Sequence, residues 1–225
     1  MTPDNSITTS PNQRLGSQAR VEILPFRCSR FIKSLIDLIG SMLLLVVLAP
    51  LFALVAILVF LDDGLPVIYR RRVVGEKSEF DAFKFRTMRR NADEILNANL
   101  VLRTEFQRNF KLKNDPRVTR IGGFLRKLSI DELPQIVNVL IGQMSLVGPR
   151  MLTAAELEKY GRDKVLLLSV KPGMTGYWQV NGRQDVSYEE RVKMDVYYIE
   201  HWSLLLDLKI LLMTPLKVAR GEGAH

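Results

Sequence analysis

The chain is short of the residues from which most hydrolytic and metal centres are built. Its 225 residues include one cysteine, Cys28, and two histidines, His201 and His225. A single thiol excludes an internal disulfide framework and a cysteine-ligated zinc site. Two histidines exclude a histidine-rich metal centre and leave only His201 for a Ser-His-Asp triad. There is no G-x-S-x-G nucleophile elbow and no G-x-G-x-x-G loop, and Gly75-Glu76-Lys77-Ser78 lacks the Gly-Lys step of a phosphate loop. Any metal must therefore be held by oxygen ligands, which favours magnesium. Aromatics are only 8%, and basic residues are interleaved with acidic ones, which argues against nucleic-acid binding.

What is present is a basic, apolar chain: 32 Lys+Arg against 24 Asp+Glu, a net charge of +8, and 47% hydrophobic residues. That length and composition suit one domain with appendages. Residues 1–26 read as a polar, disordered tail. Leu38–Leu61 then runs without one charged residue, and about 20 such residues suffice to cross a bilayer. Pro50 sits at its midpoint, and each half would make only ~18 Å of helix. The 18 residues before the run hold four cations (Arg20, Arg27, Arg30, Lys33) and the 18 after it also hold four (Arg70, Arg71, Arg72, Lys77), so the positive-inside rule prefers neither side. A proline-kinked spanning helix and a re-entrant hairpin both fit.

Beyond Asp62-Asp63-Gly64, residues 65–225 suit one compact domain. Residues 65–90 predict two short strands, 91–112 an amphipathic helix, and Asn114-Asp115-Pro116 a turn. Residues 131–141 predict a helix whose apolar stripe is Leu133, Ile136, Val137, Leu140 and Ile141, with Asp131 at its N-cap and Gly142 as its stop. Lys171–Arg183, with three glycines and a proline, predicts a loop. Residues 186–201 predict a helix. Leu204–Leu216, interrupted by Asp207 and Lys209, suits an interfacial or packed terminal helix.

The adjacent carboxylates Asp131-Glu132 begin a predicted helix among Arg126, Lys127 and Arg150. Their side chains diverge by about 100° on a helix, so one can face a substrate while the other holds a metal. The same residues also fit a Ser129–Glu132 capping box, and that reading stays open. Lys84 and Arg86 would share one strand face. Arg117 and Arg120 flank a turn, Arg150 follows Gly148-Pro149, and Arg183 ends the glycine-rich segment. Guanidinium forks at turns suit a polyphosphate ligand, although each alone also suits a solvated surface.

Leu125–Arg150, LRKLSIDELPQIVNVLIGQMSLVGPR, resembles the signature of the bacterial sugar transferases, monotopic phosphoglycosyl transferases. FKFRTM (Phe83–Met88), DPRVTRIG (Asp115–Gly122), KPGMTGYWQVNGR (Lys171–Arg183) and DVYYIEHWSLLLDLKIL (Asp195–Leu211) extend the resemblance over nearly all of Lys33–Arg220. It implies an α+β, mainly helical fold. Residues 27–64 would be a re-entrant helix-break-helix at Ala49-Pro50, and residues 65–225 one cytoplasmic catalytic domain with interfacial C-terminal helices. The implied reaction moves a hexose 1-phosphate from a UDP-sugar to polyprenyl (undecaprenyl) phosphate at the bacterial inner membrane. It releases UMP and is the first membrane step of exopolysaccharide synthesis, in the short form of the family. Asp131 matches the nucleophile and Glu132 the residue associated with Mg²⁺; Lys84, Arg126 and Arg150 match phosphate-site positions, and Arg183 a segment near the nucleotide-sugar pocket. A homodimer is compatible with the resemblance, and galactose or glucose is favoured as the sugar. Met151 stands where the family usually has proline, which loosens the restraint on Arg150. The alternative is a catalytically inactive, membrane-anchored basic binding module.

Overall fold

The computed structural model describes residues 12–109, 112, 115–182 and 186–219. Its longest element is helix α1 (Asn12–Asp63). The others follow in chain order: strands β1 (Ile68–Val74) and β2 (Glu79–Phe85), helices α2 (Ala92–Ala98), α3 (Leu100–Asn109), α4 (Arg120–Lys127) and α5 (Gln135–Leu140), strand β3 (Ser145–Val147), helices α6 (Ala154–Leu157) and α7 (Lys164–Leu167), strand β4 (Gly173–Thr175), and helices α8 (Tyr177–Asn181), α9 (Tyr188–Glu200) and α10 (Leu204–Ala219). This is the expected mixture of mainly helix with two small sheets: an antiparallel β1–β2 hairpin and a parallel β3–β4 pair.

Three expectations for the N-terminal half need correction. The helix is not broken at Ala49-Pro50; α1 is one hydrogen-bonded element through that step. Proline deletes one donor, and the turns on either side hold the helix together. The segment expected to be a tail is helical from Asn12, since extending an existing helix avoids the cost of a new nucleus. The single helix predicted over 91–112 is two, α2 and α3. At Asn99 the backbone turns extended, and the Asn99 carboxamide accepts the N–H groups of Val101 and Leu102, ending one helix and starting the next.

Both ends of the apolar part of α1 are bonded to the rest of the protein. Near its start, Lys33 donates to the Val147 carbonyl at 2.9 Å and to Asp207 at 2.6 Å, and Asp37 accepts the Leu146 N–H. Asp207 also accepts from Tyr198 and Trp202. Near its end, Asp62 accepts the Ile121 N–H, while Asp63 pairs with Arg86. Between them, Val55 and Val59 pack with Phe85 and Leu125. The opposite surface of α1 leaves Phe31, Leu43, Val46, Val47, Ile57 and Leu61 exposed. Residues 28–63 are long and apolar enough to cross a membrane by length and composition.

The glycine-rich segment is not one loop. It forms β4 and α8, and its glycines serve close packing against β3. A Cβ on Gly173 would stand 2.1 Å from the Gly148 nitrogen, and one on Gly176 would stand 2.4 Å from the Gly148 oxygen. These contacts are to backbone and cannot give way. Gly173→Ala is expected to cost about 3 kcal/mol by overpacking, measured as a lowered thermal unfolding midpoint. An unchanged midpoint would show that β3 and β4 have room to separate.

Candidate active site

Asp131 and Glu132 do not open a regular helix. They lie in a 3₁₀ turn, Ile130–Glu132, ahead of α5. Ser129 adopts the left-handed conformation (φ 53°) and caps nothing with its side chain, so the capping box does not form. Pro134 explains the arrangement. It cannot donate to a preceding turn, and the α-helix starts only after it. The predicted stripe on α5 is also shifted: Gln135, Ile136, Asn138 and Val139 are buried, whereas Ile141 is exposed. Asn138 is turned inward because it stitches α5 to β2. Its carboxamide accepts the Phe83 N–H at 2.9 Å and donates to the Asp81 carbonyl at 2.8 Å.

That stitch sets Lys84 against Glu132. The Lys84 ammonium lies 2.6 Å from Glu132 Oε1, and the Arg150 guanidinium lies 3.5 Å from the same oxygen. Arg126, from the end of α4, is fixed by a 2.8 Å bond from its Nε to the Thr87 hydroxyl. The α4 helix can approach Thr87 because a Cβ on Gly122 would meet the Thr87 carbonyl oxygen at 2.2 Å. Asp131 is buried. Among the described residues no hydrogen bond or ion pair within 4.0 Å to its carboxylate is found.

The two adjacent carboxyls therefore have opposite electrostatics. Burial pushes Asp131 above its ordinary range and the Glu132 charge adds to this; Lys84, Arg126 and Arg150 oppose the rise without cancelling it. Burial alone would also raise Glu132. There, however, the charges of Lys84 and Arg150, the Lys84 hydrogen bond and the charge of Arg71 hold it down to about 2. Glu132 is a clamped anion, and Asp131 is an unclamped, more basic one.

Sequence reading thus brings together Lys84, Arg126, Asp131, Glu132 and Arg150. Arg183 lies outside the described residues. Arg86 does not share the Lys84 face. It follows the end of β2 and turns to the carbonyls of Asp63 and Gly64 at 2.8 and 2.7 Å. Arg117 is buried in a double contact with Asp115 and is not free for a ligand. His201 stacks on Tyr197 at 4.1 Å, where it bonds the Tyr197 carbonyl. Met151, in place of the usual proline, is buried in the main core, so packing restrains the chain after Arg150.

Several neighbours were not foreseen. Arg71 pairs with Glu156 at 2.9 Å, and Glu156 is held by a capping box with Thr153. Trp178, on α8, is approached by the guanidiniums of both Arg150 and Arg191. The S-x-x-E pattern at Ser187–Glu190, which forms a capping box, was the one sequence signal that could have placed Arg191 in the first turn of a helix. Among the described residues, no cluster of three or more His, Cys, Asp or Glu side chains could hold a metal. The donor set is two carboxylates, which fits a magnesium ion bound mainly by water and substrate phosphate.

Among the described residues, the site thus combines a buried carboxylate that makes no hydrogen bond or ion pair with a second one clamped by cations, in a chain with one helix long and apolar enough to cross a membrane. Residues 28–221 match the family described as bacterial sugar transferase, and the chain belongs to that family. It is 46% identical over 201 residues to the UDP-galactose-lipid carrier transferase of Erwinia amylovora, covering 88% of this chain and 42% of that protein. It is 46% identical over 204 residues to an undecaprenyl-phosphate galactose phosphotransferase of Salmonella typhimurium, covering 88% and 43%. The exopolysaccharide production protein ExoY of Sinorhizobium fredii is 43% identical over 194 residues, covering 84% of this chain and 86% of that one. The chain thus spans less than half the length of the first two relatives.

Proposed function

We propose that the protein transfers a hexose 1-phosphate from a UDP-sugar to a polyprenyl phosphate through a covalent Asp131 intermediate. The observation that carries this reading is the buried Asp131 carboxylate, which has no partner among the described residues, beside the Lys84–Glu132–Arg150 clamp. An Asp131 oxygen forms a bond to the β-phosphorus, and the bond from that phosphorus to the bridging oxygen breaks, its electron pair leaving with UMP. Lys84, Arg126 and Arg150 stabilise charge that develops on the phosphoryl oxygens. A phosphate oxygen of the polyprenyl acceptor then attacks the same phosphorus and frees Asp131. Mg²⁺ bound through Glu132 would offset diphosphate charge. The elevated Asp131 pKa suits the role, because a more basic carboxylate is the better nucleophile once ionised.

The test is UMP release by protein held in nanodiscs with Mg²⁺, polyprenyl phosphate and a panel of UDP-sugars, galactose and glucose first. Lipid-dependent UMP from one sugar, with exchange of labelled UMP into donor when the lipid is omitted, is the expected result. Exchange requires the covalent intermediate. Release without exchange would replace the two-step reading by direct transfer, and silence across the panel from folded protein would favour a binding module.

We also place the apolar segment of α1 in the membrane interface without crossing the bilayer, with both of its ends on the cytoplasmic face. Lys33 and Asp62 are both bonded to the same domain, whereas a spanning helix would put those two attachment points on opposite sides of a hydrocarbon core ~30 Å thick. Leu205, Leu208, Leu212 and Leu216 of α10 form a second exposed apolar stripe, suited to the same interface. Cys28 is exposed and lies before the segment. In spheroplast-derived vesicles, Cys28 and, in a Cys28→Ser background, Lys77→Cys are expected to react with an impermeant maleimide from the same side. Labelling from opposite sides would establish a spanning helix.

A further inference from the structure

Arg191 is left unused by the site described so far. It projects from the first turn of α9, and its guanidinium carbon lies 4.7 Å from the centre of the Trp178 ring; that of Arg150 lies 5.7 Å from the same ring. Trp178 is buried, as is Arg191 Nε, which has no hydrogen-bond partner among the described groups. No described carboxylate forms an ion pair with Arg191. Burial first, and then the Arg150 charge, disfavour its protonated form. Two guanidiniums brought to one indole repel each other, and among the described residues no carboxylate forms an ion pair with Arg191 to offset this. The arrangement holds together at lowest cost when an anionic ligand lies across both.

The order of groups indicates which anion. Glu132 touches Arg150, Arg150 touches Trp178, and Trp178 touches Arg191. These contacts link Arg191 to the reacting carboxylates through Arg150 and Trp178. A diphosphate with its β-phosphorus over Asp131 has to extend its other phosphate away from that residue. Resting on the proposed transferase reading, we infer that Arg191 binds the phosphate that departs with UMP, while Arg150 holds the phosphoryl group under attack. Arg191 is then a donor- and product-binding residue whose charge and fork both matter.

The experiment measures inhibition by UMP and by uridine, and the donor KM, for the wild type, Arg191→Gln and Arg191→Lys in nanodiscs, with unfolding midpoints recorded without ligand. Arg191→Gln is expected to raise the inhibition constant for UMP and the donor KM by about 20-fold each. Its effect on uridine, which lacks the phosphate, should be under twofold. Arg191→Lys, which keeps the charge and the apolar stem over Trp178, is expected to lose about fivefold for UMP and to keep the wild-type midpoint. If UMP inhibition is unchanged in both variants while the wild type turns over, the assignment is wrong and Arg191 only packs against Trp178. Equal losses for UMP and uridine would also overturn it, by locating the effect in the nucleoside pocket. If the wild type neither binds UMP nor releases it from any donor, the transferase reading fails, and this inference fails with it. Should Arg191→Gln not fold, the UMP-to-uridine comparison in Arg191→Lys decides the matter alone.

Discussion

Asp131→Asn is expected to abolish UMP release, by about 10⁴-fold or more, while making the protein more stable. The first effect follows from chemistry, since a carboxamide cannot form the phosphoryl ester that the proposed reaction requires. The second follows from the environment of the side chain. Asp131 is buried next to the anionic Glu132, and its carboxyl is held above its ordinary value of 3.8. An acid whose pKa is raised on folding binds its proton more tightly in the native state. Native stability therefore falls as pH rises from the ordinary value through the raised one, and the full penalty is present at neutral pH. A neutral side chain of the same shape removes that penalty. A gain of about 1 kcal/mol would raise the unfolding midpoint by roughly 2–4 °C for a protein of this size. At pH 3, below both values, wild type and variant should unfold together. A variant that is inactive and less stable at pH 7 would mean that Asp131 is held by contacts that outweigh its burial. The acid limb of the wild-type donor kcat/KM profile is expected to lie above the ordinary aspartate value for the same reason.

Lys84→Met should damage both stability and turnover, and the two losses can be separated. Glu132 owes its low pKa to the cations around it, Lys84 foremost among them. Removing the ammonium leaves a largely buried carboxylate with the longer Arg150 contact and the more distant Arg71. Breaking a buried pair from one side costs about 3–5 kcal/mol. Loss of a cation aimed at the phosphoryl oxygens should also lower kcat by about 10²–10³. Glu132→Gln in the same chain removes the stranded charge, so Lys84→Met/Glu132→Gln is expected to recover most of the stability and none of the activity. The coupling in that double-mutant cycle measures the pair directly. The pH dependence has a definite sign. Glu132 is depressed from 4.5 to about 2, so its stabilising contribution is complete above 4.5 and is lost as pH falls towards 2. In Lys84→Met that acid limb should flatten. A double variant as unstable as the single one would assign the loss to packing of the lysine stem.

The hairpin β1–β2, the helix at 188–200 and the terminal helix from Leu204 follow patterns readable along the chain, because each depends on neighbours within one or two turns. The active-site turn does not. Pro134 was legible as a first-turn residue, but the left-handed Ser129 and the 3₁₀ geometry depend on Val55, Val59 and Leu125 packing beneath Ile130. Asn138 and Gln135 look like the polar side of a helix in sequence and lie on its buried side in the fold. For Asn138, hydrogen bonds to Phe83, Asp81 and Gln143 offset that burial, whereas Gln135 Nε2 is buried with no partner among the described residues. The glycines and proline of residues 171–183 suggested a loop, whereas close backbone approaches between β3 and β4 use Gly148, Gly173 and Gly176.

By itself, the sequence determined that this protein carries a long apolar segment, has one thiol and two imidazoles, and sets Asp131-Glu132 among cations, because composition and local spacing are properties of the chain alone. The tertiary structure decided which of those charges meet. It joins Lys84 and Arg150 to Glu132, gives Asp131 no partner among the described residues, spends Arg86 and Arg117 on structural bonds, and brings Arg191 to Trp178. Desolvation and pairing act through space over a few ångströms, and positions far apart in the chain come that close only once the core has formed.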